Sequence, residues 1–422
     1  MTAVLAARVM SASRRLLLAS LPLALVLPAC SGDDPDEDGD GAGDQSSGDD
    51  GGGDGGDGSD GTGDDDGGDP GPGPGSGTLR AVGGQIVDSS GEPVRITGIN
   101  WFGFETQELA PHGLHLRSMD SMLDQVAELG FNALRVPFAT QMFDPGATAG
   151  GIDFNLNPDL MGKTPPEILD ILVDKAGARG LRIILDRHRP DANGQSELWY
   201  TDQYPEERWI SDWVALAERY RENPVVIAFD LHNEPHGAAT WGDAVEATDW
   251  RAAATRAGDA ILAAHPDILI VVEGIESHDD QYYWWGGNLR GAAGAPVELA
   301  VPERLLYSAH DYPSSLFAQP WFSDPTYPAN LPTVWRDTWG YLAEDGTAPV
   351  LVGEFGTKLE TESDQQWLQG LADYIGANGL SFTFWSLNPD SGDTGGILED
   401  DWQTVREDKM AILSPILAPP LP

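Results

Sequence analysis

Two glutamates carry the chemistry that this sequence suggests first. Glu234 stands in Asp230-Leu231-His232-Asn233-Glu234-Pro235 and Glu354 in Gly353-Glu354-Phe355-Gly356. Two carboxyl groups held across a sugar-sized gap suit glycoside hydrolysis. One donates a proton to the leaving oxygen, and the other attacks, or directs water at, the anomeric carbon. Small flanking residues would let a sugar ring approach closely. A lone acid at such a place is more often a helix cap or an ion-pair partner, and Asp186, Asp230 and Glu273 sit in similar apolar runs. Company is what distinguishes the pair. The ends of successive apolar runs read Asn100-Trp101, Arg135, His188, Asn233-Glu234, His310 with Tyr312, Glu354 and Trp385.

The elements that must position these residues alternate regularly. Strand-like runs are drawn at Arg95–Trp101, Asn132–Phe138, Arg182–Arg187, Val225–His232, Ile268–Glu273, Leu305–His310, Val350–Glu354 and Ser381–Leu387. Amphipathic helical stretches lie between them at Ser118–Leu129, Pro166–Arg179, Trp209–Tyr220, Thr248–Ala264 and Asp364–Gly376, with Ser118 as a cap. Gly130 and Gly180 stand where a helix must turn into a strand. Nearly continuous apolar strands separated by helices imply parallel pairing buried on both faces. Eight such units predict an α/β fold, the (β/α)8 TIM barrel, in which the C-terminal strand ends surround one site. An open doubly wound sheet is the structural rival, but no Gly-rich phosphate loop is present. Gln85–Asp88 and Val94–Thr97 predict a hairpin ahead of the barrel.

The chain has 422 residues and a formal charge of −44. Residues 78–422, read as the single catalytic domain, hold 21 basic and 52 acidic side chains. That excess repels nucleic acid and anionic membrane surfaces and suits a neutral or cationic polymer. Residues 1–30 read as an export signal, with Arg14-Arg15 before an apolar run from Leu16 to Leu27 and then Pro28-Ala29-Cys30. Twelve helical residues rise only about 18 Å, short of the roughly 30 Å hydrocarbon core. The ending resembles a lipoprotein signal, with Cys30 lipidated as the mature N-terminus; an ordinary secretory signal is the alternative. Residues 31–77 are almost wholly Gly, Asp, Ser and Pro, which predicts a disordered acidic tether spanning roughly 40 Å. Asp34-Pro35-Asp36-Glu37-Asp38-Gly39 imitates a calcium loop, but Gln45 holds the place of its closing glutamate. Cys30 is the only cysteine, so no disulfide or thiolate metal site is available, and no metal or cofactor is expected.

From about residue 81 to 415 the chain resembles glycoside hydrolase family 5, and within it the bacterial endo-β-1,4-glucanases. The resemblance rests on Leu134-Arg135-Val136-Pro137, Leu185-Asp186-Arg187-His188, Asn233-Glu234-Pro235, His310-Asp311-Tyr312, Gly353-Glu354-Phe355-Gly356 and Phe384-Trp385-Ser386, in that order on consecutive strands. The strings from Gly98 to Thr106 and from Asn388 to Gly396 narrow it to the cellulase branch. It implies a retaining mechanism with Glu234 as acid/base and Glu354 as nucleophile. Asn233 would hold the sugar 2-hydroxyl, Arg135 and Tyr312 would contact Glu354, and His310 and His188 would hydrogen-bond around the same subsite. With Arg135 beside Glu354, Glu234 is expected to keep its proton. Related cellulases often carry disulfides in loops where this chain has Gln107, Ala192 and the Ala239–Asp243 stretch.

All 14 tryptophans follow residue 78. Trp213, Trp250 and Trp367 fall at helical positions and read as packing. Trp101, Trp199, Trp284, Trp285 and Trp385 follow strands, and indole faces stack on sugar C–H faces. Trp385, Trp285 and Trp101 are taken as substrate platforms, with Asn100 in the same substrate-binding set. His232 reads as a core residue beneath Glu234; His112, His115, His236, His265 and His278 read as loop or surface packing. The expected partner is a β-glucan polysaccharide such as cellulose, acted on by a monomer exported to the cell surface and touching membrane only through its lipid anchor. Endo and exo action remain open, as do a mannanase, a xylanase or a mixed-linkage glucanase. A non-catalytic glycan-binding lipoprotein is the alternative from another class.

Overall fold

Eight parallel strands close on themselves in the order in which they occur along the chain. They are β1 (Thr97–Asn100), β2 (Ala133–Ala139), β3 (Arg182–Arg189), β4 (Val226–Asp230), β5 (Leu269–Glu273), β6 (Leu305–His310), β7 (Val350–Glu354) and β8 (Ser381–Phe384). The computed structural model describes residues 78–422. The expectations for the export signal, the acidic tether and Cys30 lie outside the described residues. Pairing of β5 with β6 and of β8 with β1 completes the cylinder, so the closed barrel, and not the open sheet, is the fold.

The helices around it are α1 (Met119–Glu128), α2 (Pro165–Gly177), α3 (Glu206–Tyr220), α4 (Trp250–Ala264), α5 (Leu331–Trp335), α6 (Tyr341–Glu344), α7 (Glu362–Asn378) and α8 (Glu407–Leu413). Their starts follow local chemistry. Ser118 accepts from the Ser121 amide at 3.1 Å and Thr361 from the Asp364 amide at 3.1 Å, satisfying donors that an α-helix leaves unpaired. Gly130 and Gly180 have φ of +91° and +76°, the left-handed turn expected at these helix ends. A π-helical turn (Arg336–Gly340) joins α5 to α6. This run has no counterpart among the helices drawn from the sequence, because Pro332 and Gly340 interrupt its pattern. The crossover from β5 to β6 has no α-helix. It holds a two-residue-strand hairpin, Ser277–His278 with Gln281–Tyr282, and a 3-10 turn, Arg290–Ala293.

Two apolar cores result. The larger lies between the strands and the helices and includes Trp213, Trp250 and Trp367, as their helical positions predict. The smaller fills the N-terminal half of the barrel with Ala133, Ile184, Ala228, Leu269, Leu306 and Leu351; Leu79 and Ile86 join it, Ile86 from the hairpin, whose strands are Gln85–Val87 and Pro93–Val94, with a third strand, Arg80–Val82, added and Thr97 given to the barrel. The hairpin is therefore the floor of the barrel. No helix among the described residues is long and apolar enough to cross a membrane.

Hydrogen bonds tie the loops around Gln107, Ala192 and Gly242. Gln107 Nε2 donates to Ala192 O and Asn193 Oδ1, both at 3.3 Å. Asp249, which caps α4 through the Ala252 amide at 3.1 Å, also accepts from the Gly242 and Ala244 amides at 2.9 Å each. Replacing this residue, itself only 2% exposed, removes three charge-assisted contacts at once, including the cap of α4. Asp249→Ala should therefore lower the unfolding free energy by about 2–3 kcal/mol in a urea titration.

Candidate active site

Barrel closure points the side chains of the strand ends at one guanidinium. Arg135, on β2, is fully buried. It donates to Glu354 Oε1 at 2.6 Å, Asp230 Oδ2 at 2.9 Å, Asn233 Oδ1 at 2.8 Å, Glu273 Oε1 at 3.0 Å and Asn100 Oδ1 at 3.0 Å. Asp186 Oδ2 lies 3.1 Å from Nη2. Asp186, Asp230 and Glu273 approach one another closely enough to ligate a cation, and Arg135 already occupies their midst. Register sets Asp186 beside Asp230 on adjacent strands, while Val271 pairs with Asp230 and Glu273 reaches the same guanidinium from two residues further along β5.

Glu354 ends β7 beneath the cleft and accepts from the Tyr312 hydroxyl at 2.7 Å. Glu234, just beyond β4, accepts from Gln195 Nε2 at 2.9 Å and pairs with His310 Nδ1 at 3.0 Å. One oxygen of each glutamate and a ring nitrogen of His310 lie within 4.8 Å of one another. His188 Nδ1 pairs with Asp186 Oδ2 at 2.7 Å, and its Nε2 lies 3.5 Å from Asn233 Nδ2. Burial drives the His188 imidazole down to about 3, so it is neutral. His310 goes the other way: burial opposes its charge, but the carboxylates of Glu273, Glu354 and Glu234 outweigh it and hold the ring protonated.

In the free protein the two carboxyls shift in directions opposite to the sequence expectation. Burial raises Glu354 above the ordinary carboxylate range, with His310 and Arg135 pulling it back. Glu234 is held below that range, because the His310 and Gln195 contacts overcome its burial. Arg135 does not belong to Glu354 alone; it is shared among four carboxylates, whereas the charged imidazole bonds directly to Glu234. Asp186, Asp230 and Glu273 are pushed by burial up to about 7, against the pull of Arg135 and His310.

Other assignments also change. Trp101 is wholly buried and donates to His112 O at 3.0 Å, so it offers no face to a sugar. Trp199 is likewise buried, its N–H on Glu206 at 2.7 Å. Both indoles belong to the larger apolar core between the strands and the helices. Asn100 is buried beneath the site, donating to Gly353 O, Thr383 O and Phe384 O and accepting from Arg135. Its hydrogen-bonding capacity is used, so it positions Arg135 and does not contact substrate. The glycines beside Glu354 serve packing: a Cβ at Gly353 would lie 2.4 Å from Ser308 Oγ and 3.1 Å from His310 Nε2, and one at Gly356 would lie 1.9 Å from Trp385 O.

Above this layer opens a cleft of about 880 Å³, bordered by His188, Glu234, Glu354, Trp284, Trp285 and Trp385. Trp385 lies nearly parallel to the rings of Phe102 and His188, with centroids 5.4 Å away in each case. Trp285 is 42% exposed and stacks on His236 at 3.8 Å. Trp284 meets Tyr312 edge-on at 5.9 Å. Several residues went unread in the sequence. Gln195 lies in a polar loop with no periodicity, and His236 supports Trp285 where loop packing was expected. Phe102 and Phe317 line the cleft but escape a search confined to tryptophan. Glu273 was visible as a strand-end acid and had no motif to distinguish it. His232 is buried, as read, and pairs through Nδ1 with Arg187 at 2.9 Å.

Known proteins agree with this geometry. Residues 87–391 match the model of the cellulase family, glycosyl hydrolase family 5. The chain belongs to this family. An endoglucanase of Paenibacillus polymyxa is 54% identical over 81% of the chain and 88% of its own length. The major extracellular endoglucanase of Xanthomonas campestris pv. campestris is 44% identical over 78% of the chain and 69% of its own length. The solved catalytic domain of the Xanthomonas campestris enzyme superposes with a TM-score of 0.77 at 43% identity, covering 80% of this chain and 99% of that one. An endocellulase from Pyrococcus horikoshii, solved as a variant with cellotetraose, gives a TM-score of 0.76 at 39% identity, covering 81% and 99%. As a family 5 member, the protein is a glycoside hydrolase with a retaining mechanism.

One cleft residue gives a pH prediction. Glu105 is 2% exposed and accepts from the Gly103 amide at 2.8 Å. Burial raises its carboxyl from 4.5 to about 7. The folded state then binds the proton more tightly than the unfolded chain, so this group costs nothing below 4.5 and progressively more as pH rises towards 7. Between pH 5 and pH 8, Glu105→Gln should gain roughly 1–3 kcal/mol relative to the unmodified protein, read from paired denaturation curves.

Proposed function

We propose that this hydrolase cuts internal β-1,4-glucosidic bonds by double displacement, with Glu234 as acid/base and Glu354 as nucleophile. The observation that carries the reading is the approach of the two carboxylates around His310 within 4.8 Å at the floor of an open cleft. That spacing leaves no room for a water between a general base and the anomeric carbon, as inversion would require. The activity is that of an endo-β-1,4-glucanase, and cellotetraose, bound by the Pyrococcus horikoshii endocellulase, represents the class of substrate.

In this reading Glu354, oriented by Arg135 and Tyr312, attacks the anomeric carbon while Glu234 protonates the departing oxygen. The glycosyl ester then removes the Glu354 charge, so Glu234 becomes more acidic and takes a proton from the incoming water. Asn233, fixed through its oxygen by Arg135, keeps its amide N–H groups for the 2-hydroxyl. Neutral His188 donates or accepts beside it. Trp385 carries the sugar next to the scissile bond, and Trp285 a sugar on the leaving-group side. An open groove with platforms at two places fits attack within a chain. Export, with Cys30 lipidated and the acidic segment as tether, completes the proposal and rests on the sequence of residues 1–77.

Glu354→Gln should abolish turnover of carboxymethylcellulose and of activated aryl cellobiosides alike. Glu234→Gln should retain the glycosylation burst with 2,4-dinitrophenyl cellobioside, whose leaving group needs no proton, and lose polysaccharide hydrolysis by about 10²–10⁴-fold. Equal loss of the burst in both variants would contradict the roles. Separately, Cys30→Ala should move active enzyme from the membrane fraction to the medium; unchanged fractionation would remove the anchor and leave the catalytic reading intact.

A further inference from the structure

Glu234 has a backbone that its own side chain does not favour. Its φ is +53°, a left-handed conformation that is unfavourable for a residue with a Cβ and persists only where its surroundings impose it. Two contacts impose it here. The Glu234 carbonyl pairs with His236 Nδ1 at 2.7 Å, and its amide donates to Glu273 Oε2 at 2.7 Å. Glu273 is fully buried at the end of β5. Its second oxygen, Oε1, accepts from Arg135 Nη2 at 3.0 Å and lies 3.3 Å from His310 Nε2. One carboxylate therefore touches the backbone of Glu234, the imidazole that bonds to the Glu234 side chain, and the guanidinium that bonds to Glu354.

The neighbouring chain is shaped around this contact. Gly286 passes over it with φ of +67°, and a Cβ there would lie 2.3 Å from Glu273 Oε2 and 3.1 Å from Glu234 Cα. On its other side Glu273 is anchored by its carbonyl, which accepts from Trp250 Nε1 of α4 at 2.9 Å. The carboxylate consequently has no room to slide away from the Glu234 amide.

We propose that Glu273 is a positioning residue for the reaction, holding the strained backbone of Glu234 with one oxygen while the other registers Arg135 and His310. This rests on Glu234 being the acid/base. The Arg135 hydrogen bond and the charged His310 ring 3.3 Å away outweigh one amide, so in Glu273→Gln the side-chain oxygen turns to them. The new NH2 then faces the Glu234 N–H, donor against donor, and displaces the acid/base selectively.

The test compares leaving groups. With cellotetraose, which needs its leaving oxygen protonated, Glu273→Gln should lower kcat/KM by about 10²-fold, as expected for a misplaced catalytic group. With 2,4-dinitrophenyl cellobioside, which does not, kcat/KM should change by less than about threefold. No loss, or equal loss on both substrates, would overturn the proposal, since a merely structural buried acid has no means of sensing the leaving group. Should Glu273→Gln fail to fold, Glu273→Asp keeps the charge but draws the carboxylate back from the Glu234 amide, and the same two outcomes decide. Glu234→Gln measured alongside separates the two levels. If it shows no leaving-group selectivity, the acid/base reading falls and takes this proposal with it. If it shows selectivity and Glu273→Gln does not, only the role of Glu273 falls.

Discussion

The site is organised by a cation that never meets water. Arg135 sits in the barrel interior, and Asp186, Asp230, Glu273 and Glu354 each bring an oxygen to its guanidinium. A buried charge is tolerated only when paired and hydrogen-bonded, and a planar fork with five donors is the side chain that can serve so many acceptors at once. The dependence is mutual. Without Arg135 the interior acids could not stay in the layer beneath the cleft, and without them the guanidinium would be stranded. Asn100 and Asn233 fill the remaining directions, so the orientation of Glu354 follows from the whole ring of contacts and not from one ion pair.

Two cations, Arg135 and protonated His310, face five carboxyl groups in this cluster. Charge cannot balance with every acid ionised, which is why burial lifts Asp186, Asp230 and Glu273 to about 7. Protons in such a cluster are shared out by position relative to both cations. His310 lies on the Glu234 side and Arg135 is divided among four partners. In the free protein this favours ionisation of Glu234, so the acid/base role proposed for it depends on bound substrate changing that balance. The cleft above is built differently, from aromatic faces and a neutral His188, which leave sugar hydroxyls to find polar partners while ring faces stack.

Much of this was legible in the sequence. All eight strands lie where apolar runs were drawn, and the ordered motifs identified Arg135, His188, Asn233, Glu234, His310, Tyr312, Glu354 and Trp385, which the fold gathers at one barrel mouth. Errors have a common origin in treating a residue's place along the chain as its direction in space. Trp101 and Trp199 follow strands, as Trp285 does, yet their indoles enter the outer core. Asn100 ends a strand but lies one layer too deep to meet a ligand. Gly353 and Gly356 make room for protein atoms, not for a sugar. Contacts such as Gln195 to Glu234 and His236 under Trp285 join loops, which carry no periodic signal.

What the amino-acid sequence determined by itself was the set of elements and the inventory of chemistry. Alternating apolar runs and helical patterns demand a parallel sheet covered on both faces, and residue types at strand ends state which reactions are available. Tertiary structure alone decided depth, facing and charge. Whether an indole lies open or buried depends on turns made by distant segments. Which carboxyl holds a proton depends on desolvation and on cations brought from other strands, and those distances exist only once the barrel has closed.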